Sequence, residues 1–325
     1  MRATLVALSL SLCAASASAL PEQGHYDVTS AACVAAGLPG AFCTRAATEA
    51  FNTDALEFDD ITAHAQSATG QSLCAAADVV AARLQGLGGD LQRALAANDV
   101  DGAARALGRG LHTLHDNCAH HGMSNPEHAW YSLSDVCQKT TLSPDLDPAA
   151  VPCASAETEV ALGAFQDALD AAGVDAATLS TATATRTKKA GYFDKCAFLD
   201  EADEWDGRDV GWDRDRVRAP LQAAFAAGLA ATELAGPVCA GDPNAIDTTP
   251  RPDVDVSDGT PSCFKVHLYC LGKADSLDQE EPTAAAPEMG GCTVAHADGN
   301  AGTGLGLLAS LLGLALTCAR RRRPR

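Results

Sequence analysis

Along the first two thirds of the chain, apolar residues recur at spacings of three and four, the period of a helix with one buried face. Leu73, Val80, Leu84, Leu87 and Leu91 form such a stripe and predict a helix over 71–97, with Gly86, Gly88 and Gly89 softening its middle. Asp99 then stands where an N-cap belongs, and a second helix begins near Val100 with Leu107, Leu111 and Leu114 at core spacing. Upstream, a short Ala-rich helix follows His25 and stops at Gly37 and Pro39. Residues 41–68 read as helical again, with a break at Asn52 to Asp54. Downstream, Gly122 and Pro126 close the central helix, the Pro/Asp/Ser-rich stretch 140–152 reads as a surface loop, and helices resume over 157–172, 176–185 and 218–235. The expected fold class is all-α, a helical bundle over 20–240.

The polar residues on the central helix carry the candidate chemistry. His112, Asp116 and His120 fall at i, i+4 and i+8, so one face presents imidazole, carboxylate and imidazole, with His115 and His121 splayed to its flanks. Five of the nine histidines lie between His112 and His128, and neutral imidazole is the commonest protein ligand for zinc. A polar surface with incidental histidines explains one such residue better than it explains this cluster. The acidic run Glu57, Asp59 and Asp60 reads as a solvated face. Between 199 and 216, Asp200, Asp203, Asp206, Asp209, Asp213 and Asp215 stand among Trp205 and Trp212. Calcium could bind such oxygen-rich turns, but the EF-hand pattern is missing, and a loop anchored by two tryptophans is the simpler account.

Composition changes the picture at the chain ends. Residues 1–19 combine Arg2, an apolar run and a small-residue ending, the pattern of a secretory signal peptide. Residues 241–291 turn Pro-, Asp- and Thr-rich, apart from a short alternating hairpin pattern between Cys263 and Cys270, and read as a disordered acidic stalk. Residues 292–325 contain an apolar helix followed by five arginines, a membrane-directed tail with a stop signal. Gly290, Gly291 and Cys292, the spacer, the apolar helix and the Arg cluster resemble the C-terminal sorting signal of myxobacterial-type surface proteins, which implies cleavage by a sorting protease and lipidation at Cys292. A plain single-span tail anchor is the alternative. Either way the folded part is expected to be exported, held at the cell surface or outer membrane or released from it. With a formal charge of −19, a nucleic-acid partner is not expected.

Of 13 cysteines, Cys13, Cys292 and Cys318 lie in these end segments, leaving an even ten. In an exported chain without a C-x-x-C pair, that favours disulfides over metal thiolates. Sequence neighbours are the simplest pairs to expect: Cys33 with Cys43, Cys118 with Cys137, and Cys263 with Cys270.

Leu111-His112 followed by Asp116 and His120, out of an Ala-rich helix, resembles the helix signature of the zinc-dependent phospholipase C and single-strand nuclease superfamily. An N-terminal His, then an Asp and a His before the main helix, match His25, Asp54 and His64. The resemblance covers about 20–130 and implies an all-helical bundle. In it Asp54 bridges two metals, His64, His112 and Asp116 complete one site, and His25 serves another, with Zn2+ as the cofactor. Asp54 and Asp116 become the candidate catalytic residues, orienting the attacking water. The chain departs from the family twice. No H-x-x-x-E helix follows, since no His occurs between His128 and His267, leaving His120, His121, Glu127 and His128 as substitute ligands. The mature N-terminus would also lie five residues ahead of His25. A centre of one or two zinc ions is therefore expected. The functional expectation is a surface-anchored, zinc-dependent phosphodiester hydrolase acting on phospholipid headgroups. Its rival is a noncatalytic surface or adhesion protein stabilised by metal and disulfides.

Overall fold

The computed structural model describes residues 22–138, 143–180, 185–187, 204–205, 207, 210–234 and 236–247, the side chains of 133–138 excepted. All belong to the first of two units, residues 1–275; the second, 276–325, contains none of them. The signal peptide, most of the stalk, Cys292 and the apolar tail with its arginines lie outside the described residues. Among the described residues no helix is long and apolar enough to cross a membrane.

The structure is helical, with no strand among the described residues and only isolated bridges such as Ser67 with Ser124. In chain order the helices are α1 (Glu22–Ala35), α2 (Gly40–Leu56), α3 (Leu73–Ala96), α4 (Val100–Ala119), α5 (Asn125–Gln138), α6 (Ala150–Ala172) and α7 (Arg214–Leu229). Helix α4 is the axis of the bundle and packs against α1, α2, α3, α6 and α7. It begins where expected, because the Asp99 carboxylate accepts from the Gly102 N–H and satisfies one of the unpaired donors of the first turn. Fifteen of its twenty residues are buried, so its polar side chains are interior groups that need partners. Around it, Phe42, Leu84, Leu91, Leu107, Leu111, Leu114, Phe165, Leu221 and Phe225 form one apolar cluster.

Several boundaries differ from expectation. His25 sits inside α1, one turn from its start, rather than ahead of it. Helix α2 runs through Asn52 to Asp54 without a break, since the Thr53 hydroxyl bonds the Glu49 carbonyl and Asn52 is held by a distant segment. Helix α6 begins at Ala150, inside the expected loop, and Pro144–Leu146 ahead of it forms a 3-10 turn. Where a helix is expected over 176–185, the described residues form a 3-10 turn, Ala176–Thr178, capped by Asp175, and leave helical geometry at Leu179; residues 181–184 lie outside the described residues. The glycines of α3 do not soften it. A Cβ on Gly88 would strike the backbone of α7 at Phe225 and Leu229, so glycine is what lets those helices touch.

Among the described residues three disulfides staple the bundle. Cys33–Cys43 ties α1 to α2 and is the expected neighbour pair. Cys118 does not pair with Cys137; it bridges to Cys153, tying α4 to the start of α6, because the packing of α6 on α4 brings the two Cα atoms to 5.8 Å. Cys74–Cys239 closes the longest loop, joining α3 to the segment after α7. The remaining cysteine expectations, including Cys263 with Cys270, lie outside the described residues.

Candidate metal centres

The face of α4 that carries His112, Asp116 and His120 receives side chains from five other parts of the chain. From α1 comes His25, whose Nε2 lies 3.2 Å from Asp116 Oδ1 and 4.0 Å from Asp54 Oδ2. From the last turn of α2 comes Asp54, the group with the most exposed side chain of this set at 16%. From the turns after α2 comes His64, with Nδ1 2.9 Å from Asp116 Oδ2 and 3.3 Å from His112 Nε2. His112 Nε2 is itself 3.0 Å from Asp116 Oδ2. Beyond them lies a second group: His120 Nε2 is 2.8 Å from Asp145 Oδ1, and His128 Nε2 from α5 is 3.3 Å from Asp145 Oδ2. Among the described residues four sets bring donor atoms within 4.8 Å of one another: His25, Asp54 and His112; His64, His112 and Asp116; His120, His128 and Asp145; and Cys118, Cys153 and Glu157. The two sulfurs of the last set are joined in a disulfide, which leaves the three His/Asp sets to hold a cation. The first two sets share His112 and adjoin through Asp116.

Hydrogen bonds on the far side of each ring determine what the near side offers. A carbonyl oxygen can only accept, so a ring nitrogen facing one must carry the proton. His112 Nδ1 donates to the Ala50 carbonyl at 2.8 Å, His64 Nε2 to the Glu57 carbonyl at 3.2 Å, and His120 Nδ1 to the His64 carbonyl at 2.8 Å. His25 is oriented by a longer chain. The Thr158 hydroxyl donates to the Ala154 carbonyl at 2.8 Å, so it accepts from His115 Nε2 at 2.7 Å. His115 Nδ1 is then left to accept from His25 Nδ1 at 3.2 Å. In their neutral forms all four rings therefore aim bare lone pairs at carboxylate oxygens. Lone pair against lone pair at about 3 Å is repulsive in a dry interior, and a shared cation converts it into coordination.

For His112 and His115 electrostatics agree with that assignment, whereas without a cation His120 is held in its protonated form by the carboxylates around it. Burial lowers the pKa of His112 and, together with His25 and His112, pushes His115 well below the usual imidazole value, so both stay neutral at neutral pH. Asp116 is buried, which opposes ionisation, yet His112, His120 and His25 hold it well below the ordinary carboxylate range. In the second group burial disfavours charge on His120, but Asp116 and Asp145 outweigh it and raise its pKa to about 9. Burial would raise Asp145 too, and His120 and His128 instead bring it far below its ordinary value. Burial lowers His128.

The segment that delivers His64 is clamped by charge. Arg83 Nη2 and Arg109 Nε meet the Glu57 carboxylate at 2.5 and 2.6 Å, and Arg83 Nη1 meets Asp60 at 2.8 Å. The run Glu57, Asp59 and Asp60 is thus only partly a solvated face. Two of its members hold the turn that orients His64.

His25, Asp54, His64, His112 and Asp116 are brought together, and His120 and His128 form a group beside them. His121 and Glu127 do not join either group. His121 lies just past the end of α4 with φ +35°, and its carbonyl accepts from Trp212 N–H, while the Glu127 carboxylate accepts from Val210 N–H. Both serve the 210–212 segment, where Trp212 is fully buried with its indole N–H on Asn117. His115 is not splayed outward but buried between α4, α1 and α6. Of the calcium candidates, Asp213 caps α7 by accepting from Asp215 and Arg216 N–H, and Asp200, Asp203, Asp206 and Asp209 lie outside the described residues. The sequence pattern does not single out Asp145. Its only cue in the sequence is the missing acidic partner for His120 and His128, in a Pro/Asp stretch that resembles any surface loop.

No family model matches the chain, and comparisons with curated proteins and with solved structures likewise return no match.

Proposed function

We propose that this protein is an exported, surface-anchored, zinc-dependent phosphodiester hydrolase, similar in its helical scaffold to the phospholipase C and single-strand nuclease superfamily. The observation that carries this reading is the set of four imidazoles, His25, His64, His112 and His120, each with one N–H committed elsewhere and the other nitrogen aimed at Asp116 or Asp145. Nitrogen and carboxylate oxygen donors of this kind suit zinc. His64, His112 and Asp116 would hold one ion, with His25 and Asp54 beside it, and His120, His128 and Asp145 another. Zinc there would supply hydroxide near neutral pH by lowering the pKa of bound water from about 16 to about 7. Asp54, at the exposed edge of the cluster, orients the attacking water, while Asp116 stays ionised and holds the histidines in register. The negative chain favours a phospholipid headgroup over nucleic acid. Three disulfides fit export, and the 292–325 tail, cut at Cys292 by a sorting protease, would provide the membrane anchor.

A second reading has its own support. His25, His112, Asp116 and His120 are buried, as a purely structural metal would be, which favours a noncatalytic surface protein stabilised by metal and disulfides. One experiment separates the two. Purified mature protein is assayed for zinc by elemental analysis and for cleavage of phosphatidylcholine and bis-nitrophenyl phosphate, beside Asp54→Asn. Zinc with hydrolysis that Asp54→Asn removes supports the enzyme; zinc without hydrolysis leaves only the structural role.

A further inference from the structure

The exposed edge of the metal cluster is marked by Asp54, and an arginine from a distant part of the chain is anchored on the two helices that carry His25 and Asp54. Arg186, far along the sequence, lies with its guanidinium carbon 3.8 Å from the Tyr26 ring centroid and 5.2 Å from that of Phe51. Its flanking residues are held in place by one buried side chain: Asn52 Nδ2 donates to the Thr185 carbonyl at 3.3 Å, and Asn52 Oδ1 accepts from Thr187 N–H at 2.7 Å. These anchors adjoin the metal ligands. Tyr26 follows His25 on α1. Phe51 and Asp54 are three residues apart on α2, which puts them on one face of that helix.

Arg186 is unusual in its charge balance. Arg45, Arg83, Arg109 and Arg218 each meet a carboxylate. The guanidinium of Arg186 donates only to the amide oxygen of Gln23, at 2.8 Å, and among the described residues no carboxylate neutralises it. In a chain with a formal charge of −19, an exposed, stacked arginine without an acidic partner beside a cluster of carboxylates and imidazoles is placed to receive an anion. Stacking on Tyr26 orients the guanidinium plane, and its remaining N–H groups form the planar fork that matches two oxygens of a phosphoryl group.

We propose that Arg186 is a substrate-positioning residue, holding a non-bridging phosphoryl oxygen at the mouth of the His25/Asp54/His112 centre. This rests on the reading of that centre as a phosphodiester hydrolase. The ligand class is a tetrahedral oxyanion, and inorganic phosphate is its simplest probe.

The test uses the full mature chain loaded with stoichiometric zinc and freed of excess metal. Inorganic phosphate binding is measured by calorimetry for wild type, Arg186→Gln and Arg186→Lys. Arg186→Gln is expected to weaken phosphate about tenfold or more, Arg186→Lys to recover part of the loss, and zinc content to stay at the wild-type value. With bis-nitrophenyl phosphate the loss falls mainly on KM rather than kcat, as for a group that binds substrate and transition state alike. A second measurement needs no variant: phosphate should slow phenylglyoxal modification of Arg186 in wild type, read by peptide mass spectrometry. Unchanged phosphate affinity in Arg186→Gln, or an Arg186 that phosphate does not protect, overturns the proposal even if hydrolysis is present. A zinc-loaded protein that binds phosphate through Arg186 but hydrolyses nothing keeps the anion site and loses the hydrolase. A chain that takes up no zinc loses both.

Discussion

His25 and His115 face each other through their Nδ1 atoms at 3.2 Å, 90 residues apart in the chain, and only one of those nitrogens can carry the proton between them. Thr158 decides which, because its own hydroxyl hydrogen goes to the Ala154 carbonyl and it must therefore accept from His115. A threonine on α6 thus sets which nitrogen His25 presents to Asp116. Thr158→Val removes the acceptor and strands a buried N–H, at a cost of about 1–3 kcal/mol in stability. It also frees His115 to change tautomer, and zinc affinity is expected to fall about 10–100-fold. Chelator competition on the zinc-loaded protein measures this, and an unchanged affinity would show that the relay does not orient His25.

Asp145 is the only carboxylate in the group with His120 and His128. Asp145→Asn keeps the shape and removes the charge, so it is expected to lower the zinc content by one ion while the cluster around Asp116 stays loaded. Elemental analysis of the variant reads the stoichiometry directly. Loss of all zinc would mean that the two groups act as one site.

Glu57 gives the fold a pH dependence of definite sign. Burial would raise its pKa, but Arg109 and Arg83 outweigh it and hold it below the ordinary 4.5. A carboxyl with a depressed folded pKa contributes stability that is complete above its unfolded pKa and is lost as pH falls through the folded one. In metal-free protein, the urea midpoint of wild type should therefore fall more steeply below about pH 4.5 than that of Glu57→Gln. Parallel profiles for the two proteins would mean that the pair with Arg83 and Arg109 adds nothing to stability.

The Cys118–Cys153 bridge closes a loop of 35 residues, for which chain entropy gives about 4 kcal/mol of stabilisation. Replacing both cysteines by serine is expected to lower the urea-unfolding free energy by about that amount. Zinc stoichiometry should be retained, because α1, α2 and α4 also pack directly on one another. Loss of the metal from the folded double variant would show that the bridge itself holds the centre together.

Much of the fold is legible in the one-dimensional pattern because helices are local. The stripe from Leu73 to Leu91 and the Asp99 cap needed no knowledge of their neighbours, and α3 and α4 lie where periodicity and capping place them. Two readings failed because they depended on a distant partner. The continuity of α2 through Asn52 draws on a segment more than a hundred residues away, and the pairing of Cys118 depends on how α6 packs against α4.

By itself the sequence determined that residues 20–240 form a helical bundle with His112, Asp116 and His120 on one face of its central helix, because a 3.6-residue period is a property of the backbone alone. Only the tertiary structure decided that His25, Asp54 and His64 meet that face and that Asp145 completes a neighbouring group. It alone also turned His115 inward as a hydrogen-bond relay. Coordination depends on distances of a few ångströms and on which ring nitrogen keeps its proton. Both are set by carbonyls and hydroxyls of other helices, whose positions no local pattern encodes.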